Sequence, residues 1–200
     1  MKVSHVLYKV DDLQKAVQEF RSQGFTVEYG KQKNPYNALI YFEEGPYIEL
    51  IYDMNMPKLI QRLLRLFGQG QFVESIMSHK KADEGYIRLA FEAELKEFKS
   101  IRKKFKQWDY HSIIVPVKRK DYHQYLLKCK CIFPYDSKLP FIKSPFETTR
   151  YFGPIHKNNI KCIKRIICKV DPGQYDLVNS MNSDSLLDVY KGNFEIKVEF

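Results

Sequence analysis

Residues 3–10 are apolar and β-branched or aromatic at most positions, as a buried strand requires. Asp11 and Asp12 follow, supplying N-cap oxygens and negative charge where a helix dipole favours them. Leu13, Ala16, Val17 and Phe20 then recur at helical spacing, and Gly24 stands where a left-handed C-terminal residue is expected. Residues 25–30, 37–43 and 47–53 read as strands separated by Gly, Pro and Asn turn signals. The order is βαβββ.

Residues 57–81 carry two apolar stripes at helical spacing. Leu59, Ile60, Leu63, Leu64 and Phe67 form one, and Phe72, Val73, Ile76 and Met77 the other. Gly68 and Gly70 should divide the segment into two short helices. Core packing is the expectation for both stripes, and a partner-binding amphipathic helix is the alternative. The βαβββ order then recurs: a strand at 86–91, a helix at 94–107 and strands at 111–117, 122–133 and 139–143. The sequence CKVDP at 168–172 echoes YKVDD at 8–12 and opens a third, shorter unit. Its strand spans 160–170 and its helix 173–180. Segments 186–190 and 194–200 are expected to form a hairpin about Lys191-Gly192-Asn193. The class is α+β, divided as 1–53 (first module), 54–84 (helical connector), 85–150 (second module) and 151–200 (βαββ extension).

Composition narrows the function. The chain of 200 residues is 44% hydrophobic and 28% charged, ordinary for a soluble globular protein. No run of about eighteen apolar residues exists, so no membrane partner is expected. The first residues enter a strand at once, without a signal or transit segment, which makes a cytoplasmic location the simplest expectation. The net charge of +9 favours anionic partners. Its lysines are dispersed on solvated helix faces, such as Lys96, Lys99, Lys103 and Lys106, and no nucleic-acid motif accompanies them. A small anionic organic ligand is the more economical reading. Cys129 and Cys131 lie two apart on a predicted strand and share a face. Reduced thiols are expected there, with a thiolate metal site or redox pair as the alternative.

Five short stretches carry a family likeness: His5 on the first strand, VDDL at 10–13, GFTV at 24–27, NALI at 37–40 and GPYIELI at 45–51. In this order and spacing they resemble the opening module of the vicinal oxygen chelate (VOC) superfamily, most closely its glyoxalase-like branch. The resemblance implies two βαβββ modules forming cupped sheets, as in glyoxalase and bleomycin-resistance proteins, with a C-terminal βαββ-like extension. It also implies a divalent metal held by residues on the first and last strand of each module. His5 and Glu49 fall on those positions in the first module. In the second, the counterpart of His5 falls near Ile87 or Arg88, and Lys143 and Ser144 stand where an acid is common. His156 could supply a third ligand, although nothing in its spacing argues for it.

Glu49 is the odd residue in an apolar strand, where an unpaired carboxylate would be costly. It is the candidate catalytic group, with His5, Asn37, Tyr41, Tyr47, Arg88 and Lys143 as candidate ligand-binding residues. His5 and Glu49 are metal ligands only if a metal is bound, and no other cofactor is implied. Two ligands alone hold a divalent ion weakly. No phosphate loop, nucleophile elbow or HExxH motif is present. Three functions stay open: a metal-dependent lyase, isomerase or dioxygenase; a metal-free small-molecule binding or resistance protein; and, behind both, a basic nucleic-acid-associated or scaffold protein. A homodimer also stays open.

Overall fold

The computed structural model describes residues 1–53, 56–147 and 153–200. The expected boundaries at 53/54 and 150/151 abut or lie outside these residues. The first module contains β1 (Lys2–Lys9), α1 (Leu13–Ser22), β2 (Glu28–Tyr29), β3 (Asn37–Ile40) and β4 (Tyr47–Ile51). Asp12 caps α1 by accepting from the backbone N–H groups of Gln14 and Lys15, and Leu13, Ala16 and Val17 turn inward. Gly24 has φ of +90°, and a Cβ there would lie 2.9 Å from Asn158, so the position requires glycine twice over.

Two helices follow, α2 (Lys58–Leu66) and α3 (Gly70–Ser78), with Gly68 at φ +73° between them. The second module comprises β5 (Gly85–Glu92), α4 (Phe98–Gln107), β6 (Ser112–Lys120), β7 (Leu126–Pro134) and β8 (Phe141–Lys143). A reciprocal capping box between Glu94 and Glu97 opens the short 3-10 turn that leads into α4. The third unit contains β9 (Arg165–Val170), α5 (Pro172–Met181), β10 (Leu187–Lys191) and β11 (Glu195–Glu199).

Both modules build one eight-stranded sheet in the order β2-β3-β4-β1-β5-β8-β7-β6. β4 runs parallel to β1, β8 runs parallel to β5, and the antiparallel β1·β5 pair joins the halves. This curled sheet brings its two edges together. Arg119 on β6 donates to the Gly30 carbonyl just after β2 at 3.2 Å, and His123 meets Glu28 at 3.2 Å. The molecule is therefore a cup with a seam.

Two apolar cores lie on opposite faces of the sheet. The outer one gathers Val6, Val10, Leu50, Leu89 and Phe91 with Val17 of α1, Phe105 of α4 and Ile166, Leu177 and Ile196 of the third unit. The inner one gathers Leu7, Ile51, Ala90, Cys131, Phe133 and Phe141 with Phe72 and Ile76 of α3.

Three expectations need correction. Alternation puts Val3 on the face of His5, but the pairing with β5 slips between them, and Val3 joins the outer core while His5 faces inward. β10 and β11 do not pair as a hairpin: they flank β9, one parallel and one antiparallel, because the three-stranded order is β10-β9-β11. Finally, only Leu64 of the first connector stripe packs on the inner core, while Leu59, Ile60, Leu63 and Phe67 are exposed.

Candidate functional site

β1 and β4 are adjacent and parallel, with His5 opposite Tyr47 and Leu7 opposite Glu49. This register brings five of the seven candidates together on the inner face. Glu49 Oε1 accepts from Asn37 Nδ2 at 2.7 Å, and Glu49 Oε2 lies 3.4 Å from His5 Nε2. Gly30 makes room for the amide, since a Cβ there would stand 2.1 Å from Asn37 Oδ1. The ring of His5 stacks on Tyr47, and Tyr47 in turn packs on Tyr41 with centroids 5.1 Å apart.

Burial, with the positive charges of Lys143 and Arg119, holds the His5 pKa well below its ordinary value. His5 is thus a neutral imidazole. In the tautomer that fits its neighbours, Nε2–H donates toward Glu49 and Nδ1 accepts from the Ser4 hydroxyl at 3.2 Å. Burial pushes Tyr41 up to about 12 and raises Tyr47 and Tyr36, with Glu49 adding to the rise in each. All three phenols are neutral donors. The Glu49 side chain is 18% exposed.

Arg119 completes this side of the cup. It reaches the group from β6 across the seam, donating to the Gly30 carbonyl and to the Tyr41 hydroxyl. Burial opposes its charge, but Glu49 and the tyrosines outweigh that and hold its pKa above the ordinary arginine value. At the seam lies an open cavity of about 780 Å³, lined by Lys31, Lys33, Tyr36, Arg119, Lys120 and Gln124 among others. Four of these carry positive charge, and among the described residues no acid lines it.

Arg88 and Lys143 are not brought into this group. Arg88 is fully buried and donates to three backbone carbonyls: Leu139 at 2.9 Å, and Pro134 and Asp136 at 3.2 Å each. Burial drags its pKa down to about 9. It is a clamp for the turn between β7 and β8. Lys143 is also buried, pairs with Glu92 at 3.0 Å and lies over the Phe146 ring. His156 is buried in the outer core between Phe25 and Phe42, where Nδ1 accepts from the Thr26 amide at 2.9 Å. It cannot be a third ligand of the cleft.

The strand pairings test the metal. Leu7 pairs with Glu49 and Arg88, while Ala90 pairs with Phe141 and His5. The inner-facing residues that β5 and β8 set opposite these positions are Arg88, Ala90, Phe141 and Lys143. None of these four is a usual ligand of a divalent ion. Among the described residues no group of three or more His, Cys, Asp or Glu could hold a metal. The donor set does not fit a tightly held divalent ion.

Arg119, Tyr36 and the lysines at 31, 33 and 120 carry no motif that marks them in the sequence. The one available signal was the alternation of β6, which puts Arg119 on the face of Val115 and Val117. Cys129 and Cys131 also share this inner face. Hydrogen bonding from Cys131, helped by Lys143 and Arg119, lowers the Cys129 pKa, although burial opposes it.

Among the described residues no helix is long and apolar enough to cross a membrane. The curated proteins give no match. A hypothetical protein from Staphylococcus aureus shares the fold with a TM-score of 0.64 and 16% identity, covering 96% of this chain and 87% of that one. The Mn(II)-bound glyoxalase from Novosphingobium aromaticivorans does so with a TM-score of 0.54 and 12% identity, covering 98% of this chain. This chain spans only 64% of that glyoxalase's length. The glyoxalase-like domain model matches residues 3–171, most of the chain, and with the paired βαβββ modules described above this makes the protein a member of the glyoxalase-like domain family, within the vicinal oxygen chelate superfamily.

Proposed function

We propose that this glyoxalase-like protein binds a small anionic organic molecule at the seam of the cup, without a resident metal. The observation that carries this reading is the cavity of about 780 Å³ whose charged lining residues, Lys31, Lys33, Arg119 and Lys120, are all cations. The anionic group of the ligand sits on Arg119 and its neighbouring lysines, where a partly desolvated guanidinium favours bidentate recognition of a carboxylate or phosphate. The organic body lies along Tyr36, the aromatic residue of the lining, and extends toward Tyr41, which Arg119 contacts, and Tyr47, which packs on Tyr41. The first module, residues 1–53, supplies these rings, and the second, residues 85–150, supplies Arg119.

Glu49, on the inner face beyond Arg119, is the carboxylate held by Asn37 and the neutral His5. It is the carboxylate best suited to accept a proton from a bound molecule that reaches past Arg119. A cation role for Arg88 or Lys143 is less favoured, because both are committed to partners within the protein.

Native mass spectrometry of the purified protein, followed by denaturing extraction, tests the reading. We expect an organic acid or phosphate ester to copurify and to be displaced by excess of the same acid. Recovery of only neutral or cationic compounds would contradict it.

A further inference from the structure

Helix α2 has the sequence KLIQRLLRL, with three cations and no acid. Leu59 is 66% exposed, Leu66 81% and Phe67, its C-cap, 75%, and Ile60 and Leu63 are exposed as well. The helix is nonetheless firmly built. Leu64 packs on the inner core, Gln61 donates to the Met56 carbonyl at 2.8 Å, and Arg65 pairs with Glu74 of α3 at 2.7 Å. The helical spacing places Lys58, Arg62 and Arg65 together at one border of the exposed apolar face. The result is a preformed platform with an apolar centre and a cationic margin.

Such a face calls for a partner, because monomeric proteins rarely leave contiguous apolar patches of this kind uncovered. Two observations decide which. The patch is one nine-residue helix and its C-cap, a narrow face for a standard protein interface of ~800 Å² per partner. A second copy would also lay Lys58 and Arg62 beside the same cations, since α2 has no acid to offer, Glu74 is already paired with Arg65, and the chain carries a net charge of +9. An anionic bilayer surface meets both conditions. It accepts Leu and Phe into the acyl boundary and Lys and Arg among its headgroups, which is the pattern of helices lying in the membrane interface. This requires no spanning helix.

We infer that α2 docks the protein peripherally on an anionic lipid surface, with Leu59, Leu63, Leu66 and Phe67 inserted and Lys58, Arg62 and Arg65 at the headgroups. The inference is independent of the ligand proposed for the cup.

Cosedimentation with phosphatidylcholine vesicles, with and without added phosphatidylglycerol, tests it on the full chain. We expect binding to the anionic vesicles only, weakened by high salt. Leu66→Asp/Phe67→Asp should bind at least about tenfold more weakly, with an unchanged circular-dichroism melt because both side chains are exposed. Phe67→Trp in a Trp108→Phe background should shift its emission to the blue on anionic vesicles. Absence of binding to anionic vesicles, equal binding by the double aspartate variant, or an unshifted emission from the introduced indole would overturn the inference. So would a stable dimer in solution that the double aspartate variant converts to monomer, because the face would then be a self-interface.

Discussion

His5 and Tyr47 lie face to face on neighbouring parallel strands, their ring centroids 4.5 Å apart and their planes 10° from parallel. The stack fixes the imidazole edge toward Glu49, whose other oxygen is held by Asn37. The carboxylate is thus oriented by two neutral donors rather than by a salt bridge. Asn37→Leu should remove one of them and leave a half-covered carboxylate oxygen without its partner. We expect a loss of about 1–3 kcal/mol in urea unfolding. Asn37→Asp should be worse, since it sets a second carboxylate against the first, and an Asp variant as stable as wild type would refute this picture of Glu49.

Acid should weaken the fold through histidines buried in the neutral form. Burial and then Arg88 depress His79 to about 4, and burial also depresses His5 and His156. Between the ordinary value of 6.5 and the folded value, the unfolded chain binds protons that the native state refuses. The His79 contribution is full above pH 6.5 and is lost as pH falls toward 4, and those of His5 and His156 are lost in the same direction. His79→Leu should flatten that acid limb by on the order of 3 kcal/mol relative to wild type. Denaturation midpoints measured from about pH 7 down to about pH 4 would check this, and parallel curves for the two proteins would count against it.

Arg88 should behave as a structural residue. Arg88→Met keeps most of the stem but leaves the carbonyls of Leu139, Pro134 and Asp136 without their donor. A loss of about 3–5 kcal/mol is expected in chemical denaturation, as for other buried charged groups whose partners are stranded. A variant within about 1 kcal/mol of wild type would show that the turn does not depend on this clamp.

How much of this was legible in the sequence follows from where the residues lie. His5, Asn37, Tyr41, Tyr47 and Glu49 come from one short continuous run, whose strand alternation and turn residues specify a face for most of them. Asp12 and Gly24 marked the ends of α1 by their chemistry alone. Arg119 was not legible, because it contacts Gly30 across 89 residues and only the curl of the sheet brings the two edges together. The slip at Ser4 was hidden too, since a bulge leaves the apolar pattern unchanged while turning Val3 to the other face. The spacing in α2 specifies an apolar face, but periodicity cannot say whether that face is covered, and the core packing expected for it holds for Leu64 alone.

The ligand set should govern metal content. With Arg88, Ala90, Phe141 and Lys143 on the corresponding strands of the second module, His5 and Glu49 have no counterpart donors among them. Elemental analysis after dialysis should find well below one Mn, Fe, Ni or Zn per chain. A stoichiometric ion that His5→Ala removes would restore the metal-dependent reading of the cleft.

The anionic ligand is the central claim, and calorimetric titration tests it most directly. Wild type should bind a small aromatic or aliphatic carboxylic acid and ignore the corresponding amide. Arg119→Met should weaken that binding roughly tenfold or more, as loss of a charge-assisted bond of about 1.5–3 kcal/mol requires. Arg119→Lys should recover part of it. Equal affinity for acid and amide, or an Arg119→Met protein that binds the acid as tightly as wild type, would contradict the account.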